Sequence, residues 1–107
     1  MKIREYLISR MSIQEFADKN DLTLEIHERG IYDTGRRYYV YFEHTEISEE
    51  GRAMLISAHG NGSTGEEAIE DYAKEISKKY LVVDAHTLDR REIRIPKLFY
   101  DKERGLK

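Results

Sequence analysis

Gly60-Asn61-Gly62-Ser63-Thr64-Gly65-Glu66-Glu67-Ala68 decides the fold of this chain. It reads as a glycine-rich turn running directly into a capped helix. Thr64-Gly65-Glu66-Glu67 is a capping box, in which the Thr64 hydroxyl takes the amide three residues on and the glutamate reaches back. Ala68, Ile69, Tyr72, Ala73, Ile76 and Tyr80 follow at a helical period and predict a buried stripe. Glu66, Glu67, Glu70 and Asp71 open the helix and Lys74, Lys78 and Lys79 close it, which complements its dipole. Gly60 and Gly62 are expected to supply positive φ for the turn. A glycine-rich turn before a helix also suggests a phosphate cradle. No Lys-Ser/Thr pair follows, however, and carboxylates already occupy the anion-attracting helix start.

Upstream, Ser12-Ile13-Gln14-Glu15 is a second capping box, with Met11 and Phe16 placed as a hydrophobic staple. Asn20-Asp21 ends that helix. Three alternating segments come next: Leu22, Leu24 and Ile26; Tyr38, Val40 and Phe42; and residues 53–59, with Met54, Ile56 and Ala58 on one side. A loop at 30–35 and a turn at Ser48-Glu49-Glu50-Gly51 separate them. Downstream, residues 81–85 and 92–96 read as short strands, the second ended or held to an edge by Pro96. The predicted fold is α+β, in the order α-β-β-β-α. It has a three-stranded antiparallel meander, two helices on one face and one or two short C-terminal strands. Residues 1–107 form one domain, with a core at 11–85 and a C-terminal extension at 86–107 whose last residues, from Asp101, fray. Ile3, Tyr6, Leu7 and Met11 fit a short helical stripe, and Met11 equally fits an alternative start.

Composition removes several functions. The chain has no cysteine, so it has no disulfide scaffold, thiolate metal site or cysteine nucleophile. No apolar run reaches the roughly 20 residues that span a bilayer. The N-terminus has no signal-peptide core, so a cytoplasmic protein without a membrane partner is expected. Residues 1–84 carry 11 Lys/Arg against 17 Asp/Glu, a balance of −6, and residues 85–107 carry 7 against 4, a balance of +3. An acidic body is a poor counter-surface for nucleic-acid backbones.

Three resemblances go with these residues. The element order over residues 12–80 resembles double-stranded-RNA-binding domains. That family places lysines at the start of its second helix to meet phosphates; here Glu66, Glu67 and Glu70 stand there, and no RNA contact carries over. Gly62-Ser63-Thr64-Gly65-Glu66-Glu67-Ala68 resembles the Gly-x-Thr-x-Glu-Glu-Ala turn of HicB-type antitoxins, which would imply an antitoxin role for residues 37–85. The chain as a whole resembles small phage and prophage proteins of low-GC Gram-positive bacteria. The supporting residues are Met11-Ser12-Ile13-Gln14-Glu15-Phe16, residues 60–64, Glu67-Ala68 and Leu81-Val82-Val83-Asp84-Ala85. This implies a genomic setting in a bacterial or phage-infected cell and no activity.

No catalytic motif emerges, and no cofactor is expected. His27, His44, His59 and His86 lack close ligand spacing. A zinc site of His27 and His59 with Glu25 or Glu43 is weighed against plainly exposed strand histidines, and no metal ligand is assigned. Asp84 is the candidate half-buried acid. If Tyr38, Val40 and Phe42 face the helices, Tyr39 and Tyr41 face away with His27, Leu55 and His59. Those five form the candidate partner-binding surface, for another protein or a second copy, unless residues 81–99 cover it. The alternative is nucleic-acid binding through Arg36, Arg37, Arg90, Arg91, Arg94 and Lys97.

Overall fold

Helix α2 (Gly65–Ile76) lies directly on strand β6 (Gly60–Gly62) in this computed structural model, which describes residues 10–30, 36–49 and 54–105. The contact is backbone against backbone. A Cβ on Gly60 would sit 2.5 Å from the Tyr72 Cβ and closer still to the Ala68 carbonyl oxygen; one on Gly62 would sit 2.5 Å from the Ala68 amide nitrogen. Neither glycine has a positive φ. The expected turn is therefore a strand, and its glycines are there for close approach rather than for left-handed backbone.

The caps form as the sequence predicts. Thr64 Oγ1 accepts the Glu67 amide at 3.1 Å, and Glu67 reaches back to the Ser63 amide at 3.1 Å and to the Ser63 hydroxyl. Ala68, Ile69, Tyr72, Ala73 and Ile76 are buried, but the helix ends at Ile76 and Tyr80 starts a strand instead of extending the stripe. In helix α1 (Ile13–Asn20) the Ser12 hydroxyl accepts the Glu15 amide at 3.1 Å, and Asp21 closes the helix with φ of 53°. Asparagine, aspartate and histidine tolerate that left-handed region better than other side chains.

Strands β2 (Leu24–Glu28) and β3 (Tyr38–Phe42) join β6 in an antiparallel sheet of order β2-β3-β6. Phe42 meets Phe16 of α1 at 6.1 Å and Tyr72 of α2 at 5.5 Å between ring centroids, so both helices cover the same face. The third strand is not at 53–59. Among its described residues that segment contributes only β5 (Leu55–Ile56), which pairs with a strand absent from the sequence reading, β4 (Thr45–Ser48). Met54 and Ile56, expected inside, are exposed. One long hairpin is thus shared between two sheets: its proximal arms pair as β3 and β6, its distal arms as β4 and β5.

The distal arms continue into a second sheet of order β5-β4-β7-β8, with β7 (Tyr80–Val83) and β8 (Arg91–Arg94) close to their predicted places. A third C-terminal strand, β9 (Lys97–Phe99), pairs in parallel with β1 (Arg10–Ser12). The core extends past the expected boundary at residue 85, because Ile95, Leu98 and Tyr100 pack into it. Residues 101–105, expected to fray, are tied to α1: Gln14 donates to the Asp101 and Gly105 carbonyls at 2.8 and 3.0 Å and accepts the Asp101 amide at 3.1 Å. The stripe of Ile3, Tyr6 and Leu7, the loop at 31–35 and residues 50–53 lie outside the described residues.

Candidate functional site: a groove where two sheets part

The shared hairpin is unequal, and the inequality makes a groove. Val40 pairs with Gly60 and Ile47 with Ile56, so residues 41–46 on one arm face only residues 57–59 on the other. The longer arm bows outward, as extra residues in one strand of a pair must. Phe42 lies two residues beyond Val40, so its backbone points to the β6 side, where the strand partner has gone. Two side chains replace it. The Phe42 amide donates to Tyr72 Oη at 3.0 Å, and Thr45 Oγ1 donates to the Phe42 carbonyl at 2.7 Å. A buried amide without such a partner is costly, which is why a tyrosine stands at this point of α2. Burial holds the Tyr72 phenol above its ordinary range.

The groove has a volume of about 480 Å³. One wall comes from Tyr41, Phe42 and residues 44–46, a second from residues 57–59, and a third from residues 84–87, the turn after β7; Tyr39 of β3 also lines it. His44 and Asp84 both have left-handed backbone, with φ of 59° and 51°, and the Asp84 amide donates to the His44 carbonyl at 3.0 Å. This ties the third wall to the first. Asp84, the candidate half-buried acid, is partly buried just past the end of β7 and lines the groove. His86 Nε2 lies 3.7 Å from Glu46 Oε1.

Beside the groove, the outward face of the first sheet carries a ring cluster. Glu25 pairs with Tyr41 and His27 with Tyr39 across β2 and β3. His27 stacks on both Tyr39 and Tyr41, with ring centroids 4.9 and 5.4 Å apart, and His59 meets Tyr39 edge-on at 5.9 Å. Tyr41 Oη donates to Glu25 Oε2 at 2.9 Å, and His27 Nε2 lies 3.0 Å from the same oxygen. The hydrogen bonds from His27 and Tyr41 lower the Glu25 pKa below its ordinary 4.5. The bond to Glu25 raises the Tyr41 phenol above its ordinary 10.0. Both shifts favour the pair of forms that the Tyr41–Glu25 hydrogen bond joins, a neutral phenol and a carboxylate. Arg29 lays its guanidinium 4.6 Å from the Tyr39 ring centroid.

The structure therefore brings together four of the five residues proposed for partner binding: Tyr39, Tyr41, His27 and His59. Leu55 falls on β5 in the other sheet, because the third strand is not where its alternation placed it. Residues 81–99 do not lie as one cover: β7 and β8 extend the second sheet, and residues 84–87 wall the groove. His44, Glu46, His86 and Thr87 were not chosen from sequence; only the unequal arms, invisible in alternation, gather them.

The alternative basic set is scattered and partly engaged. Arg37 pairs with Glu28, Arg90 with Glu92 at 2.9 Å, and Arg91 donates to the Asn20 carbonyl at 2.7 Å. Arg36 adjoins β3, Arg94 ends β8 and Lys97 starts β9, so they belong to three different sheets. Among the described residues no group of three or more His, Cys, Asp or Glu is placed to hold a metal ion. Among them, too, no helix is long and apolar enough to cross a membrane. No protein-family model, curated protein or solved structure matches the chain.

Proposed function

We propose that this chain is a small non-enzymatic accessory protein that binds another protein, or a second copy of itself, through the outer face of the three-stranded sheet. The observation that carries this reading is the cluster of Tyr39, Tyr41, His27 and His59 on that face. Tyrosine is enriched at interface cores because its ring buries apolar area while its hydroxyl keeps a polar partner. The bonds from Tyr41 and His27 to Glu25 hold these rings in place before any partner arrives, which lowers the entropy cost of association. A phage or prophage setting is supported by the sequence pattern alone.

The test compares wild type with a Tyr39→Ala/Tyr41→Ala double variant. Affinity capture from a bacterial lysate identifies a partner, and light scattering follows self-association. The double variant should keep the wild-type circular dichroism spectrum and lose the partner, or lose the dimer. Retention of every captured protein and of the oligomeric state would remove this face from the function.

A further inference from the structure

We infer that the groove at the parting of the two sheets seats a Lys or Arg side chain of the protein partner. This inference rests on the protein-binding reading above and adds the chemistry of what is bound. The groove holds two carboxylates, Glu46 and Asp84, together with Tyr39 and Tyr41, and none of its lining residues is Lys or Arg. Elsewhere the chain satisfies acids with its own cations: Glu15 with Lys19, Glu28 with Arg37, Glu49 with Lys79 and Glu70 with Lys102. Among the described residues neither Glu46 nor Asp84 meets a Lys or Arg. Glu46 is three-quarters covered and, among the described residues, has only His86 within ion-pair reach.

Partly covered carboxylates attract a cation more strongly than fully solvated ones, because the effective dielectric around them is lower. Ring faces add a second attraction, strongest for a desolvated guanidinium or ammonium. The chain shows this attraction at Tyr39, whose ring already carries Arg29 with His27 stacked on it, so Tyr41 is the lining ring offered to an incoming cation. The groove volume of about 480 Å³ leaves room for a long side chain and its flanking backbone. The net charge of −3 on the whole chain draws a basic segment toward it.

The experiment uses fluorescence anisotropy with a labelled peptide of four Arg-Gly repeats. The same peptide with citrulline for arginine, and a peptide of four Glu-Gly repeats, serve as comparisons. Wild type should bind the arginine peptide and neither of the others. A Glu46→Gln/Asp84→Asn variant should lose roughly tenfold or more in affinity, the order expected when partly desolvated charge contacts are removed. A Glu66→Gln/Glu103→Gln variant changes the net charge equally on exposed surface and should stay within about twofold, as exposed pairs do. Backbone amide shifts of wild type on titration should move at Glu46, Asp84 and Thr87, a readout that needs no variant. No binding of the arginine peptide, equal losses in both variants, or preference for the glutamate peptide overturns the inference. If Tyr39→Ala/Tyr41→Ala loses the captured partner while Glu46→Gln/Asp84→Asn keeps it, the face is the interface and the groove is not. If both variants keep it, both readings fall.

Discussion

The hairpin that carries β3 to β6 has two ends that obey different rules. At the proximal end, β6 lies under α2 so closely that Gly60 and Gly62 leave no volume for a Cβ. At the parting of the sheets, the same hairpin opens into a groove of about 480 Å³ because residues 41–46 face only residues 57–59. Close backbone contact dictates residue identity by volume. Where the arms diverge, packing asks little of the side chains, and they are available to be chosen for what they bind.

Gly60→Ala breaks the first end and should produce the largest effect. The added methyl meets helix backbone rather than a side chain tip that can swing aside, so overpacking should cost about 3 kcal/mol or more. Urea denaturation measures it. Ser57→Ala in the groove wall is the matched change, and an exposed residue there should stay within about 0.5 kcal/mol of wild type. Equal losses at the two positions would mean that the groove wall is as tightly specified as the seam, and the contrast would be lost.

Tyr72→Phe probes the one residue that serves both ends. Its ring packs at the seam, while its hydroxyl completes the Phe42 amide where β6 has departed. Phenylalanine keeps the packing and strands a buried donor, which should cost about 1–3 kcal/mol. Amide hydrogen exchange should accelerate at Phe42 more than at Val40, whose partner strand is intact. Uniform acceleration along β3 would show that the hydroxyl supports the helix packing rather than the bulge.

The two ends were also unequally legible in the sequence. Ser12 with Glu15 and Thr64 with Glu67 declared both helix starts, because a cap is a local contract among four residues. Alternation placed Val40 and Phe42 inside and Tyr39 and Tyr41 outside, so most of the ring cluster was readable. The glycines of β6 were not, because a turn and a close approach both ask for a missing side chain and only the packed helix distinguishes them. Strand β4 escaped because four residues carry too little period to register, and β5 was read as part of a longer strand at 53–59 with another partner. The parallel pairing of Arg10 with Lys97 joins the two ends of the chain and leaves no local trace at either. The groove depends on the first two of these features, and so it could not be assembled from motifs.

The seam and the ring face beside the groove each hold a carboxylate below its ordinary pKa, and the smallest predicted effect turns on that parallel. At the seam, the Ser63 hydroxyl and amide and the Thr64 amide lower the Glu67 pKa from 4.5. On the outer face, His27 and Tyr41 do the same for Glu25. A carboxylate whose folded pKa is depressed binds fewer protons in the native state than in the unfolded one around that pH. Its contribution to stability is therefore complete above the unfolded value and is lost as pH falls through the lower folded value. Glu67→Gln should be less stable than wild type at pH 7, and the difference should close as the pH drops below 4.5 toward the folded value. Glu25→Gln should follow the same course but also loosen the rings it organises, so that it alone weakens partner binding at pH 7. Urea midpoints for the three proteins from pH 7 to pH 3, read beside binding at pH 7, separate the two. If Glu67→Gln weakened binding as much as Glu25→Gln, helix and face would be coupled, and the ring face would owe its properties to the seam rather than to its own side chains.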